Sequence, residues 1–266
     1  MFSKANEIEI DFFDKKFFKF TRVSKNATRI FDSHLKYVLQ HIKKDEIILD
    51  IGCNDGRHTL FLRKQGYKVF GIDISKDALK RSSDTFFSFG ELIDTDHKKQ
   101  SKIFLCADAH QLPIKFENVD TVLLLETLHH FRDKDLILKN INQILKHGGK
   151  IIISEPNPKN LLRKLGNYIG KIFDFLSPNE WPLSPNELLK TIQKYFKVNK
   201  FILYLHPISI SAVFLYEILL MLNSKNIKTL ERILFLCDKL LESDKTQKIN
   251  VNETIMWRTF AVGQKI

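Results

Sequence analysis

Apolar residues along this chain gather in short blocks that alternate with stretches of helical spacing. The blocks Ile47–Ile51, Lys68–Ile72, Lys102–Cys106, Val119–Leu125 and Gly149–Ser154 are each the length of a buried strand. Between them, Leu60–Lys64, Asp77–Phe87 and Leu136–Leu145 carry helical spacing, and Gly148-Gly149 is expected to stop the last of these helices. Strand and helix in alternation predict parallel strands joined by right-handed crossovers. Ser184-Pro185-Asn186-Glu187 spells a capping box with proline at the first helical position, so a helix is expected over Pro185–Tyr195. Strand-like runs near Val198–Leu205 and Thr254–Val262 bring the expected strands to seven.

The flanks of this core are mostly helical in pattern. Before Ile47, Phe31, Leu35, Val38, Leu39 and Ile42 recur at helical spacing, with Asp32 and Ser33 as caps. Phe12, Phe13, Phe17, Phe18 and Phe20 lie among Lys15, Lys16, Lys19 and Arg22, which suits either a helix packed on the domain or a basic, membrane-facing lid. After Glu155 comes a proline-rich stretch to Pro185, in which Leu161, Leu162, Leu165, Ile169, Ile172, Phe173 and Leu176 predict a covering helix. Two apolar helices are expected around Ile208–Leu222 and Ile227–Glu242, as core, dimer interface or membrane contact. The division expected is an N-terminal helical cap (1–46), a ligand-binding core (47–155), and covering helices with an apolar insertion and the last strands (156–266), all in one structural domain.

Composition narrows the setting. Lys and Arg outnumber Asp and Glu by 42 to 31, a formal charge of +11, which suits a lysine-rich surface, an anionic membrane surface or nucleic acid. No dense basic block or RNA-binding module favours the last. The three cysteines, Cys53, Cys106 and Cys237, are far apart and form no C-x-x-C, so neither a disulfide framework nor a zinc site is expected and a reducing compartment is. The start of the chain has no apolar signal core, and Ile208–Leu222 falls short of the ~20 residues that span a bilayer. The expected location is cytoplasmic, with peripheral membrane contact open.

The chemistry-bearing stretch is Ile47–Leu62, a buried run followed by a turn with Gly52 and Gly56 and then a helix, the first half of a βαβ unit. Glycines let such a turn bend sharply and approach a ligand closely. The spacing G-x-x-x-G is not the G-x-G-x-x-G of dinucleotide sites, and Asn54 stands where left-handed backbone would be tolerated. Asp50 ends the first strand, where burial is costly unless it is bonded. Asp73 ends the second strand some twenty residues on, where a carboxylate accepts both hydroxyls of a ribose, or caps the following helix.

Four motifs in order carry a family resemblance: L-D-I-G-C-N-D-G (Leu49–Gly56), G-I-D-I-S (Gly71–Ser75), C-A-D-A-H-Q-L-P-I (Cys106–Ile114) and V-D-T-V-L-L-L-E-T-L-H-H-F (Val119–Phe131). L-K-H-G-G-K-I-I-I-S-E-P (Leu145–Pro156) follows. The chain resembles class I S-adenosylmethionine-dependent methyltransferases of the small-molecule kind, which include ubiquinone/menaquinone-biosynthesis and sterol-type enzymes. The resemblance covers about Ile47–Ser154. It departs from the commonest form at Asn54, usually glycine.

The resemblance implies an α/β, Rossmann-like, doubly wound and mostly parallel seven-stranded sheet with an antiparallel last strand. It implies S-adenosylmethionine as cofactor, with Asp50 orienting its ammonium group, Gly52, Cys53, Asn54 and Gly56 forming the turn, and Asp73 and Ile74 at the ribose. Asp108 and Ala109 would meet the adenine, and Glu126 with Thr127 the methionine end. No metal is implied. His130 and His129 follow, and either would be placed to take a proton from the acceptor, unless L-H-H-F only starts a helix. Glu155 either touches substrate or serves helix capping before Asn160. The expected reaction is in-line methyl transfer to oxygen or carbon of a small, apolar or lipid-like acceptor. An RNA methyltransferase and a non-catalytic cofactor-binding scaffold are the alternatives.

Overall fold

The computed structural model describes residues 4–11, 34–82, 103–160, 164, 179–204, 243–244, 256 and 258–266. Its elements in chain order are α1 (Lys4–Asp11), α2 (His34–Val38), β1 (Ile47–Ile51), α3 (Arg57–Lys64), β2 (Lys68–Asp73), α4 (Lys76–Lys80), β3 (Phe104–Cys106), β4 (Val119–Leu125), α5 (Lys134–Ile144), β5 (Leu145–Pro156), α6 (Pro185–Gln193), β6 (Phe196–Tyr204), β7 (Ser243–Asp244) and β8 (Arg258–Lys265). Short 3-10 turns cover Ala109–Gln111 and Leu128–His130.

The strands form one sheet in the order β3-β2-β1-β4-β5-β8-β6-β7. The pairs from β3 to β5 are parallel, and β8 runs antiparallel between β5 and β6. The chain order reverses across β1 and β4, the place where an open α/β sheet has its crevice. The expected seven strands are all present, joined by the two-residue β7 at the edge. The seventh expected strand, over Thr254–Val262, starts four residues later and ends three later, as β8.

Strand alternation assigns the two faces. Val122, Leu124, Ile151, Ile153 and Ala261 pack with α5 and α6, whereas Leu123, Leu125, Ile152, Phe260 and Val262 pack with α2 and α3. Each such side chain is almost fully enclosed, and burial of this kind contributes ~1.5–3 kcal/mol for each Val, Leu, Ile or Phe. The helices start where their caps predict. Ser75 accepts from the Ala78 N–H, Asp133 from Leu136, and Ser184 with Glu187 completes the expected capping box. At the N-terminal ends of the strands, Glu46 takes Lys150 Nζ (2.6 Å) and Thr121 Oγ1 (2.9 Å), and Asp120 takes the Ile47 N–H (2.8 Å). These bonds tie β1, β4 and β5 together at the end opposite the crevice.

One expectation is corrected. Gly148-Gly149 does not stop the helix: α5 ends at Ile144 and β5 already begins at Leu145. Gly148 has φ +71° inside β5, where the pairing to β4 slips between Val119 and Thr121. The glycines therefore serve a bulge. The predicted helix over Asp77–Phe87 is seen as Lys76–Lys80, and its continuation past Ser82 lies outside the described residues. Also outside them are the aromatic-basic segment 12–22, the caps Asp32 and Ser33, most of the covering helix after Asn160, and the apolar helices around 208–222 and 227–242. Among the described residues no helix is long and apolar enough to cross a membrane.

Candidate functional site

The glycine turn follows β1 directly. The Gly52 and Cys53 N–H groups donate to Ile72 O at 2.7 and 3.1 Å, which carries the sheet pairing past the end of the strand. Gly52, Asn54 and Gly56 have φ of +72°, +51° and +74°. Asn54 thus adopts the left-handed backbone expected of it. A Cβ at Gly52 would lie 2.2 Å from Thr127 Cγ2, and one at Gly56 2.3 Å from the Phe104 ring. The close approach that glycine allows here is to neighbouring strand ends as well as to any ligand.

The acids stand on successive strand ends. Asp50 is buried on the α3 side, and Thr59 Oγ1 donates to it at 2.7 Å. The bond that offsets its burial thus comes from a hydroxyl in the first turn of α3. Asp73 accepts the Asn54 N–H on Oδ2 (2.7 Å) and the Ser75 N–H on Oδ1 (2.8 Å). One carboxylate therefore fixes both the glycine turn and the start of α4, while Ser75 provides the helix cap itself. Asp108 lies two residues past β3 and caps the Ala109–Gln111 turn, accepting the His110 N–H at 2.9 Å and facing the His110 ring at 2.7 Å. Ala109 is buried, and Ile74 O accepts from Cys106 Sγ at 3.5 Å.

Burial shapes the electrostatics. Desolvation pushes the Asp50 carboxyl above its usual range and Asp73 up to about 6, against two backbone hydrogen bonds that favour its charge. The Cys53 thiol is buried and pushed well upward by desolvation and by Asp50, Asp73 and Asp55, so it stays protonated. Desolvated carboxylates around a crevice favour a cationic guest, because a nearby positive charge restores their ionised form.

Beyond β4 the chain turns sharply. Glu126 has φ +59°, a conformation that costs a side chain energy and collects at functional sites. The Leu128–His130 turn is then held by Glu155 at the end of β5. Glu155 Oε1 accepts the Thr127 and Leu128 N–H groups at 3.0 and 2.8 Å, and Oε2 accepts the His129 N–H at 3.1 Å and faces His129 Nδ1 at 2.8 Å. Desolvation raises Glu155 to about 7, opposed by these donors and by the neighbouring His130. His129 is buried, His130 half-buried, and their rings lie 4.1 Å apart. Thr127 Oγ1 donates to Leu125 O at 3.2 Å and reaches Gly52 O at 3.3 Å, so the turn after β4 braces the turn after β1.

Every residue expected at the site therefore lies at the C-terminal edge of the sheet: Asp50, Gly52, Cys53, Asn54 and Gly56 after β1, Asp73 and Ile74 after β2, Asp108 and Ala109 after β3, Glu126, His129 and His130 after β4. Glu155 does not cap a helix before Asn160. Its partners are the backbone and ring of the histidine turn, while Asn157 bonds the Lys159 and Asn160 N–H groups. Sequence reasoning missed Arg258. It is buried at the start of β8 and pairs with Glu126 at 3.0 Å, across a sequence distance that no local pattern reports. Among the described residues no His/Cys/Asp/Glu cluster suits a metal ion.

Residues 49–153 match the methyltransferase domain family. Over 145 residues the chain is 28% identical to the ubiquinone biosynthesis O-methyltransferase of Coxiella burnetii, covering 53% of this chain and 56% of that one. Over 125 residues it is 28% identical to the 27-O-demethylrifamycin SV methyltransferase of Amycolatopsis mediterranei, covering 45% and 43%. The chain thus spans about half the length of these curated relatives. Two solved structures are similar in fold. An S-adenosylmethionine-dependent methyltransferase of Thermotoga maritima superposes with a TM-score of 0.63 at 17% identity, covering 98% and 99%. One of Archaeoglobus fulgidus gives 0.57 at 17% identity, covering 95% and 98%.

Proposed function

We propose that this chain, whose residues 49–153 match the methyltransferase domain family, is a class I S-adenosylmethionine-dependent methyltransferase that transfers a methyl group to oxygen or carbon of a small molecule. The observation that carries this reading is the set of acids on successive strand ends, facing a histidine turn held by a buried carboxylate. When bound, the cofactor supplies an electrophilic methyl on a positively charged sulfur.

In this reading Asp73 receives the ribose hydroxyls on the lone pairs that the Asn54 and Ser75 N–H groups leave open. Asp108 takes the adenine amino group, and the Ala109 N–H, first in its 3-10 turn, meets the ring. Asp50 and Glu126 receive the ammonium end. The donor set fits a cation, because burial already disfavours the charge on Asp50 and Asp73.

On the acceptor side Glu155 orients His129. A carboxylate accepts from Nδ1–H, which leaves Nε2 with its lone pair. His130, half-buried beside it and felt electrostatically by both Asp73 and Glu155, is the better placed to take the acceptor's proton. Positioning alone supplies roughly 7–11 kcal/mol in such a displacement, so the histidines tune the rate of a reaction that alignment already favours.

The acceptor's small-molecule class is supported by the names of the relatives, which act in ubiquinone biosynthesis and on a rifamycin. An apolar or lipid-like acceptor, taken up with peripheral membrane contact, follows from the apolar helical patterns of the chain. The test is incubation with methyl-labelled S-adenosylmethionine and fractionated cell extract. Label in low-mass or lipid fractions is expected. Label in RNA alone favours an RNA methyltransferase, and cofactor binding with no label transferred favours a binding scaffold.

A further inference from the structure

Strand alternation would send the Glu126 side chain to the α5 face. Leu123 and Leu125 face α2 and α3, whereas Val122 and Leu124 face α5, and Glu126 is next in that second series. The left-handed backbone at Glu126 breaks the alternation. Its carboxylate instead meets Arg258 Nη1 at 3.0 Å and Ser154 Oγ at 3.4 Å. Arg258 and Ser154 share the α2 face with Phe260 and Ile152, and the cross-strand register sets Arg258 against Pro156 and Ser154 against Phe260.

The surroundings of Arg258 hold it still. Nη1 also lies 3.1 Å from His34 Nδ1, at the start of α2, and the His34 ring stacks edge-on against His58 at 4.8 Å. Ser154 is anchored in turn by Tyr204 OH at 2.8 Å. The Arg258 side chain is 7% exposed and that of Glu126 27%. A buried guanidinium thus grips a carboxylate that reaches the open crevice. Both grips fall on Oε1, and among the described residues Oε2 accepts no hydrogen bond. Asp50 stands on the same face, on the neighbouring strand β1.

We propose that Arg258 is a positioning residue for the amino-acid end of the cofactor: it turns and holds Glu126 so that the second carboxylate oxygen receives an α-ammonium group, with Asp50 on the other side. This rests on the cofactor reading above. It gives the last strand of the sheet a part in binding that no motif of residues 49–153 contains. It also accounts for the strained backbone at Glu126, because an unstrained residue there would face away from Arg258.

The test titrates the whole chain with two ligands, S-adenosylmethionine and 5′-methylthioadenosine, which has the adenine, ribose and sulfur but no amino-acid end. Arg258→Gln and Glu126→Gln should each weaken S-adenosylmethionine about tenfold, the effect of one lost charge-assisted bond, and leave 5′-methylthioadenosine unchanged. The double variant should bind no worse than Glu126→Gln alone. Equal losses for both ligands, or losses that multiply in the double variant, overturn the role given to Arg258. Should Arg258→Gln fail to fold, Arg258→Lys replaces it; loss confined to S-adenosylmethionine supports the role and equal loss overturns it. A wild-type chain that binds neither ligand overturns the cofactor reading and this inference together.

Discussion

Replacing Glu155 by glutamine keeps side-chain size and removes one charge. The glutamine carbonyl retains the Thr127 and Leu128 N–H bonds, but its amide NH2 then faces the His129 N–H and ring Nδ1, both of which Glu155 Oε2 now receives. These two bonds are charge-assisted only while Glu155 is ionised, and their effect is already contained in its folded pKa. Against their loss stands relief from burying a carboxylate. The folded Glu155 carboxyl sits at about 7 and the unfolded at 4.5, a difference worth roughly 3 kcal/mol. For a raised carboxyl the stability is fully present below the unfolded value and is lost as pH rises through the folded one. The wild-type chain therefore loses this contribution between about pH 4.5 and pH 7, and the variant has none to lose. Urea unfolding without cofactor, followed by circular dichroism at pH 5 and pH 8, should show the gap between wild type and variant shrinking by about 3 kcal/mol at the higher pH. A gap of constant size would refute the assignment. In methyl transfer, kcat of the variant should fall by about tenfold or more, because Glu155 holds the backbone turn that carries His130.

Gly52→Ala places a Cβ 2.2 Å from Thr127 Cγ2 on a backbone of φ +72°; cofactor titration should show at least about tenfold weaker binding and a lowered melting temperature, and wild-type behaviour would contradict the bracing of the two turns. His130→Asn should leave cofactor affinity within about threefold while kcat falls about a hundredfold, and an unchanged kcat would remove it as the proton acceptor. Ser184→Ala breaks the capping box of α6 and should cost about 1 kcal/mol in denaturant unfolding with no change in cofactor affinity.

The parts of this molecule that are legible in the sequence are those governed by local rules. Strands β1 and β4 have their predicted bounds because each is a short, mostly apolar run, interrupted by Asp50 in β1 and by Asp120 and Thr121 in β4. The capping box at Ser184 and the left-handed Asn54 follow from the chemistry of single side chains. The strand-end acids are legible because spacing along a βαβ unit fixes their place. Gly148-Gly149 misleads because a glycine pair marks a helix stop and a strand bulge alike, and the choice depends on pairing to β4. The end of β5 puts Glu155 at the crevice, but its partners lie 26 to 28 residues away. Arg258 and Glu126 stand on strands that become close only through the sheet order, with β5 between β4 and β8. Contacts of that kind have no period and no motif in one sequence.

The most direct measurement is calorimetric titration of the whole chain with S-adenosylmethionine, beside Asp73→Ala. Binding in the roughly micromolar range is predicted for the wild-type chain. The variant loses two ribose hydrogen bonds to a carboxylate, and its affinity should fall by at least about a hundredfold. No heat of binding from the wild-type chain, or the same affinity in Asp73→Ala, would contradict the site described.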